Sequence, residues 1–354
     1  MTERGAHTLN EILSQPAVWQ ATLASFPSQA RDLAQFWRQS QPEQLLVTGC
    51  GSTFYLSLTA ASLIQALGGV PSQARPASEL VFFPSWVYPN APRVLLVAIS
   101  RSGETTETVE AVRVFRQHGG KHILAITCDS HSSLAQSADF VLAADAAQEQ
   151  SVAQTRSFSS MALLAQAMAA HLAGQEVSHL LAPLPQIGEQ LLSAYSPLAS
   201  RLGESQDIDR FFFLGGGFLY GMACEAMLKM KEMSLSYSEA FHPLEFRHGP
   251  MSMVDERSLV VGLLSPEAHQ QEFAVLQHMH HLGGKILALG DLNGPEFSSF
   301  AENVNLNSGL PAWATPVLYL PILQLLAFYR ALARGQDPDH PHNLQAVIQL
   351  KSLK

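Results

Sequence analysis

One pattern occurs twice in this chain and limits its fold more than any other feature. A short apolar run ends in glycines and opens directly into a helical stretch, first as QLLVTGCGSTFYLSLTAASLIQAL from Gln44 and again as FFFLGGGFLYGMACEAMLKMKEMS from Phe211. LLVAIS from Leu95 returns as LVVGLL from Leu259, and the tripeptide GGK, at Gly119 and Gly283, each time follows a helical stretch and opens a strand. Strands that alternate with helices are joined by crossovers, so each set builds a parallel sheet covered on both faces. The repeat therefore predicts an α/β chain made of two tandem modules. We expect a helical N-terminal segment over 1–44, a first module over 45–190 and a second over 191–354, with the join in the Pro-containing helical stretch from about Glu176 to Arg210.

The N-terminal segment carries Ile12, Leu13, Trp19, Leu23, Phe26, Leu33, Phe36 and Trp37 at helical spacing, with breaks expected at Pro16 and Pro27. Its start, MTERGAHTLNEILSQ, lacks the basic and then apolar order of a signal peptide, which points to a cytoplasmic chain. No charged residue lies between Glu302 and Arg330, yet Pro311, Pro316, Pro321 and Gln324 interrupt the stretch. A buried core helix is expected there, and no membrane span.

Charge and cysteine narrow the function classes. There are 21 Lys plus Arg against 30 Asp plus Glu, and no basic cluster, so non-specific nucleic-acid binding is not expected. The 14% charged and 47% hydrophobic content rules out a disordered chain. Cys50, Cys128 and Cys224 are far apart with no CxxC spacing, so they read as reduced thiols, and no metal site is expected.

The loop SRSGETTET from Ser100 sets Ser100, Ser102 and Thr105 between a strand and a helix start, where free N–H groups and the helix dipole favour an anion. An ordinary capping arrangement centred on Ser102 accounts for the same residues. Gly51, Ser52 and Thr53 end the first strand, and carboxyl ends of neighbouring parallel strands share a ligand crevice. The corresponding loop of the second copy, SPEAHQQ from Ser265, has lost nearly all these hydroxyls. The turns match neither GxGxxG nor GxxxxGK[ST], so a small phosphoester is favoured over a nucleotide.

In the second copy Glu225, Lys229 and Glu232 fall on one face of a helix that is otherwise apolar, and EFRHGP with His248 follows. The stripe can be a solvated Glu–Lys pair or a catalytic group, and a loop histidine is often surface. A carboxylate and an imidazole beside a sugar phosphate would suit ring opening and proton transfer between adjacent carbons.

GCGST, AISRSGETTET, SVAQTRSFSS, ACEAMLKMKEMS, EAFHPLEFRHGPMSMVDE and the closing PVLYLPILQLLAFYRALARGQDPDHPHNL together resemble, in order, the isomerase half of glutamine-fructose-6-phosphate aminotransferase and the stand-alone sugar isomerase (SIS) domain enzymes. The resemblance implies two SIS subdomains of flavodoxin-like form and a homodimer with composite active sites. It implies that Gly51, Ser52, Thr53, Ser100, Arg101, Ser102 and Thr105 bind a sugar phosphate, with Glu149, Val152 and Gln154 along the sugar. Glu232 would be the base, Lys229 its assistant, and His248, from the partner subunit, would open the ring. No cofactor is expected, because the adjacent nitrogen or carbonyl acidifies the C2 proton.

Some features depart from that aminotransferase, the glucosamine-6-phosphate synthase. No glutaminase domain with an N-terminal cysteine precedes the motifs, so ammonia from glutamine is not expected. Where the synthase reads NLAK, with its Schiff-base lysine, this chain reads NLQA and carries Ala346, while Lys351 and Lys354 are out of register. Gln154 stands where the synthase has serine. The favoured expectation is a deaminase converting glucosamine 6-phosphate to fructose 6-phosphate and ammonia. The alternatives are a fructosamine-6-phosphate deglycase, an aldose-ketose isomerase and a sugar-phosphate sensor without turnover.

Overall fold

The computed structural model describes residues 4–88, 93–292 and 299–347. It contains two five-stranded sheets. β1 (Gln44–Gly49), β2 (Ser72–Pro76), β3 (Val94–Ser100), β4 (His122–Thr127) and β5 (Phe140–Ala143) form the first, in the order β2-β1-β3-β4-β5. β6 (Arg210–Gly215), β7 (Tyr237–Phe241), β8 (Ser258–Leu263), β9 (Lys285–Gly290) and β10 (Glu302–Asn305) form the second, in the order β10-β9-β8-β6-β7. Every pairing is parallel, and the two orders are the same when matched strand for strand. The duplication legible in the sequence is thus a duplication of topology.

The central strands show why the apolar runs become strands. Leu45, Leu46 and Val47 are fully buried, as are Leu95 through Ile99 and Phe211 through Phe213. Strands covered by helices on both faces need a continuous apolar run rather than an alternating one. The edges are less regular. Tyr237–Phe241, of mixed polar and apolar residues, pairs with β6 as an edge strand, where one side of the ladder has no neighbour and mixed side chains are tolerated.

Each first strand turns at once into a helix that packs back on it, and glycine makes that return possible. A Cβ on Gly49 would stand 2.6 Å from the backbone of Thr53, and one on Gly215 would stand 2.5 Å from Leu219 O. Any side chain at either position would push the helix off its strand.

The chain divides into two compact units. One comprises Ala17–Glu149, Arg156–Ala182 and the described residues from Gln345, and the other comprises the described residues up to Pro16, Gln150–Thr155 and Pro183–Leu344. The first unit holds most of the helix Gln15–Ser40, which runs unbroken through Pro27. That corrects the expected break: Pro27 removes one hydrogen bond at a cost of roughly 3 kcal/mol, which burial of Trp19, Phe26, Leu33 and Phe36 on the same helix offsets. Pro16 sits near the helix start, where a missing N–H costs little.

In the second unit the apolar stretch near the C-terminus forms the helix Leu320–Ala333, with Leu320 through Phe328, Arg330 and Ala331 buried. The segment Pro316–Ala333 is long and apolar enough to cross a membrane by length and composition, but here most of its residues are buried within the unit. Arg330 shows how a charge is accommodated there: its guanidinium donates to Ser205 O at 2.7 Å, Ile208 O at 2.6 Å and Ser236 Oγ at 3.2 Å.

Candidate active site

The SRSGET loop leaves the carboxyl end of β3 and enters the helix Thr106–Gln117. Thr105 occupies the N-cap position, and no side chain caps this helix. The capping reading of Ser102 is therefore not what the structure contains: Ser102 Oγ accepts from Glu104 N at 3.2 Å inside the loop, while Ser100 Oγ accepts from Gly103 N at 3.1 Å and meets Thr105 Oγ1 at 3.4 Å. The loop is held rigid from outside. Glu104 accepts from Ser133 N at 2.7 Å and Ser133 Oγ at 2.8 Å, and Gly103, at φ 64°, has no room for a Cβ, which would fall 2.0 Å from Ser132 Oγ. Three hydroxyls thus gather at a helix N-terminus with its positive dipole end, the chemistry that accepts a phosphate.

Gly51, at φ 54°, carries the first turn into the helix beginning at Ser52. Thr53 closes that turn on itself, because its Oγ1 accepts from Cys50 N at 2.9 Å and donates to Cys50 O at 3.0 Å. Ser52 is also buried. Arg101 has a positioning geometry: its guanidinium lies 3.5 Å from Glu149 Oε2 and donates to Ala346 O at 3.0 Å. The Glu149 side chain is closed to solvent and also accepts from Ser157 Oγ. The carbonyl of Ala346, at the place where the aminotransferase pattern has lysine, is therefore fixed in space by the SRSGET loop's own arginine.

Val152 and Gln154 lie in the segment Gln150–Thr155, which groups with the second unit. A residue not singled out from sequence holds it there. Glu11 is 2% exposed, and its carboxylate accepts from Gln150 N at 2.6 Å and from Ser151 Oγ. Asp339 in turn fastens the helix carrying Glu11, accepting from Thr8 N and Thr8 Oγ1 at 2.7 Å each. A glutamate beside Ile12 on the buried face of an amphipathic helix was the available sequence signal. Gln154 Oε1 is buried with no hydrogen-bond partner among the described residues.

The helix Leu219–Ser234 follows β6 and its glycines, and it carries the charged triplet. The solvated-stripe reading fails here, because the side chains of Lys229 and Glu225 are 1% and 0% exposed. Lys229 Nζ is 3.4 Å from Glu225 Oε1 and is also hydrogen-bonded to Glu232 Oε2. Burial works against the lysine's charge, but the two carboxylates outweigh it and hold its pKa above the ordinary lysine value. Glu232 keeps 19% of its side chain exposed, so of the two carboxylates it is the one that faces outward. An accessible carboxylate with one oxygen held by a buried ammonium is oriented and can move a proton.

His248 is exposed, in the turn after the short helix Pro243–Phe246. Its backbone N–H donates to Glu245 O at 3.0 Å, and no hydrogen bond or ion pair joins its ring to any described residue. The structure thus brings Lys229, Glu225 and Glu232 together, and does not tie His248 to them.

With this geometry in place, comparison with known proteins is informative. The SIS domain family matches residues 40–171 and again 206–332, one copy over each sheet. A glutamine–fructose-6-phosphate aminotransferase (isomerizing) from Symbiobacterium thermophilum is 30% identical over 99% of this chain, which spans 60% of that relative's length. Among solved structures, a glucosamine-6-phosphate deaminase from Thermotoga maritima is 26% identical with a TM-score of 0.73, covering 93% of this chain and 99% of its own. A tagatose-6-phosphate ketose/aldose isomerase from Escherichia coli, 23% identical with a TM-score of 0.85 over 96% of this chain and 99% of its own, shares the fold.

Proposed function

Because this chain belongs to the SIS-domain family, with one copy of the domain on each sheet, we propose that it is an enzyme acting on a phosphorylated amino sugar, converting glucosamine 6-phosphate and water to fructose 6-phosphate and ammonia. The observation that carries this reading is Glu232, a partly exposed carboxylate oriented by a buried lysine whose charge two acids sustain. In the mechanism, His248 opens the sugar ring. Glu232 then takes the C2 proton, leaving an enolamine across C1 and C2, and returns a proton to C1. The resulting C2 imine adds water and releases ammonia, so the nitrogen leaves without any change of oxidation state for the pair of carbons as a whole. The hydroxyls of the SRSGET loop bind the phosphate throughout the reaction.

Ala346 supports release of nitrogen over its transfer. The aminotransferase pattern places a lysine there to form a Schiff base with fructose 6-phosphate, and alanine has no amine to do so. The deaminase from Thermotoga maritima, matched over nearly its whole length, supports the same direction. We further propose a homodimer in which His248 serves the partner's site, in keeping with a ring that makes no bond within its own chain among the described residues.

A small panel of 6-phosphosugars, assayed for both ammonia and ketose formation, tests the assignment. Ammonia and fructose 6-phosphate in equal amounts from glucosamine 6-phosphate are expected. Ketose formation from a sugar without nitrogen, with no ammonia from glucosamine 6-phosphate, would make the chain an aldose-ketose isomerase, and tight binding with no product would make it a sensor.

A further inference from the structure

The second sheet carries a ligand crevice of its own, and its chemistry differs from that of the first. When the two copies are aligned on their GGK tripeptides, Ser100, Ser102, Thr105 and Thr127 fall opposite Leu264, Pro266, His269 and Asp291. All four of these replacements line one cavity of about 500 Å³ beyond the carboxyl ends of β8 and β9. That is a volume typical of small-molecule sites, which run roughly 300 to 1,000 Å³. The position is the one that open parallel sheets use for ligands.

The anion slot of this crevice is already filled from within. Glu272, buried on the helix His269–His281, accepts from Ser265 N at 2.7 Å and from Ser265 Oγ at 3.2 Å, and one of its oxygens lies 3.2 Å from where a Cβ of Gly216 would be. A carboxylate thus takes the backbone N–H at the strand end and abuts the glycine turn. A phosphate entering here would meet that charge, and neither lysine nor arginine lines the cavity to offset it. The acidic side chain on the wall is Asp291, which accepts from Ser308 N at 2.7 Å and Ser308 Oγ at 2.5 Å. A carboxylate offers about four acceptor positions, so its oxygens retain capacity for further donors. Acidic influence extends to the cavity floor: burial first, then Asp291 and Glu272, push the Tyr319 phenol above its ordinary range.

We propose that this cavity is a second ligand site, for a small polyhydroxylated molecule bearing a protonated amine and no phosphate, an unphosphorylated amino sugar. Asp291 receives the ammonium, and the polar wall around Ser265 and Thr315 meets the hydroxyls. The site is independent of the activity proposed above, since it concerns the second sheet's crevice and its ligand carries no phosphate.

Calorimetry on the full chain with glucosamine, glucose and glucosamine 6-phosphate tests this. Saturable glucosamine binding is expected, weaker for glucose by about tenfold because the charge-assisted hydrogen bond to Asp291 is lost. Asp291→Asn should reduce glucosamine affinity by a similar factor, and Ala312→Phe, which fills the cavity, should abolish it. Glucosamine binding should persist in the Ser102→Ala, Thr105→Ala double variant, which separates this site from the phosphate loop. Absence of glucosamine binding, affinity unchanged in both Asp291→Asn and Ala312→Phe, or loss of binding in the phosphate-loop variant would each overturn the proposal.

Discussion

Lys229 and Glu225 form an ion pair 3.4 Å long, with the two side chains 1% and 0% exposed. A pair removed from water in this way is costly to break from one side, since the surviving charge keeps its desolvation penalty and loses its partner. Lys229→Met should therefore destabilise the fold by about 3 to 5 kcal/mol in denaturant titrations, and adding Glu225→Leu should recover most of that. The lysine's folded pKa is raised, so its contribution is complete below the unfolded lysine value and is lost only as pH climbs through the higher folded one. Neutral-pH assays therefore see the lysine fully charged.

The proposed phosphate-binding role of the SRSGET loop makes a separable prediction. Ser102→Ala with Thr105→Ala removes hydroxyls that cap no helix, and each charge-assisted hydrogen bond to phosphate is worth about 1.5 to 3 kcal/mol. KM should rise at least about tenfold with the melting temperature nearly unchanged. Calorimetric affinity for fructose 6-phosphate equal to that of the unaltered chain would remove the loop from the site.

Glu272 predicts a pH dependence of stability. Burial raises its pKa, against the opposing hydrogen bonds from Ser265. A carboxyl group with a raised folded pKa supports the fold fully below its unfolded value, near 4.5, and loses that support as pH rises through the folded value. Glu272→Gln should thus match the unaltered chain's melting temperature near pH 4, gain on it as pH rises through the folded value, and keep a constant lead above that. A constant difference across pH would mean that the carboxylate is no harder to ionise folded than unfolded.

How much of this was legible beforehand depends on which force fixed each part. The buried strands were, since runs such as LLVAI and RFFFLG have no other stable place than a covered parallel sheet. The edge strand Tyr237–Phe241 was not, because SEAF shows neither alternation nor a continuous apolar run, and only pairing with β6 defines it. The charged triplet was visible as one face of a helix, whereas its burial was a tertiary outcome of what packs around that face. Glu11 and Asp339 escaped notice for the same reason: their roles are hydrogen bonds to backbone far along the chain.

The proposed composite dimer site has an arithmetic test. If His248 serves the partner's site, homodimers of Glu232→Gln or of His248→Ala lack one group at every site and should be nearly inactive. Co-expression of the two gives about half mixed dimers, each with one intact site of two, so activity should return to roughly a quarter of the unaltered level. No recovery in purified mixed dimers would mean that each chain completes its own site.

The fate of the C2 hydrogen tests the central claim most directly. Glucosamine 6-phosphate deuterated at C2 should give fructose 6-phosphate whose label has moved to C1 or into water, with ammonia released in equal amount. Glu232→Gln should slow that loss of label by roughly two to four orders of magnitude while fructose 6-phosphate still binds. Ammonia released with deuterium still on C2, or label lost at an unchanged rate in Glu232→Gln, would contradict proton transfer by this carboxylate.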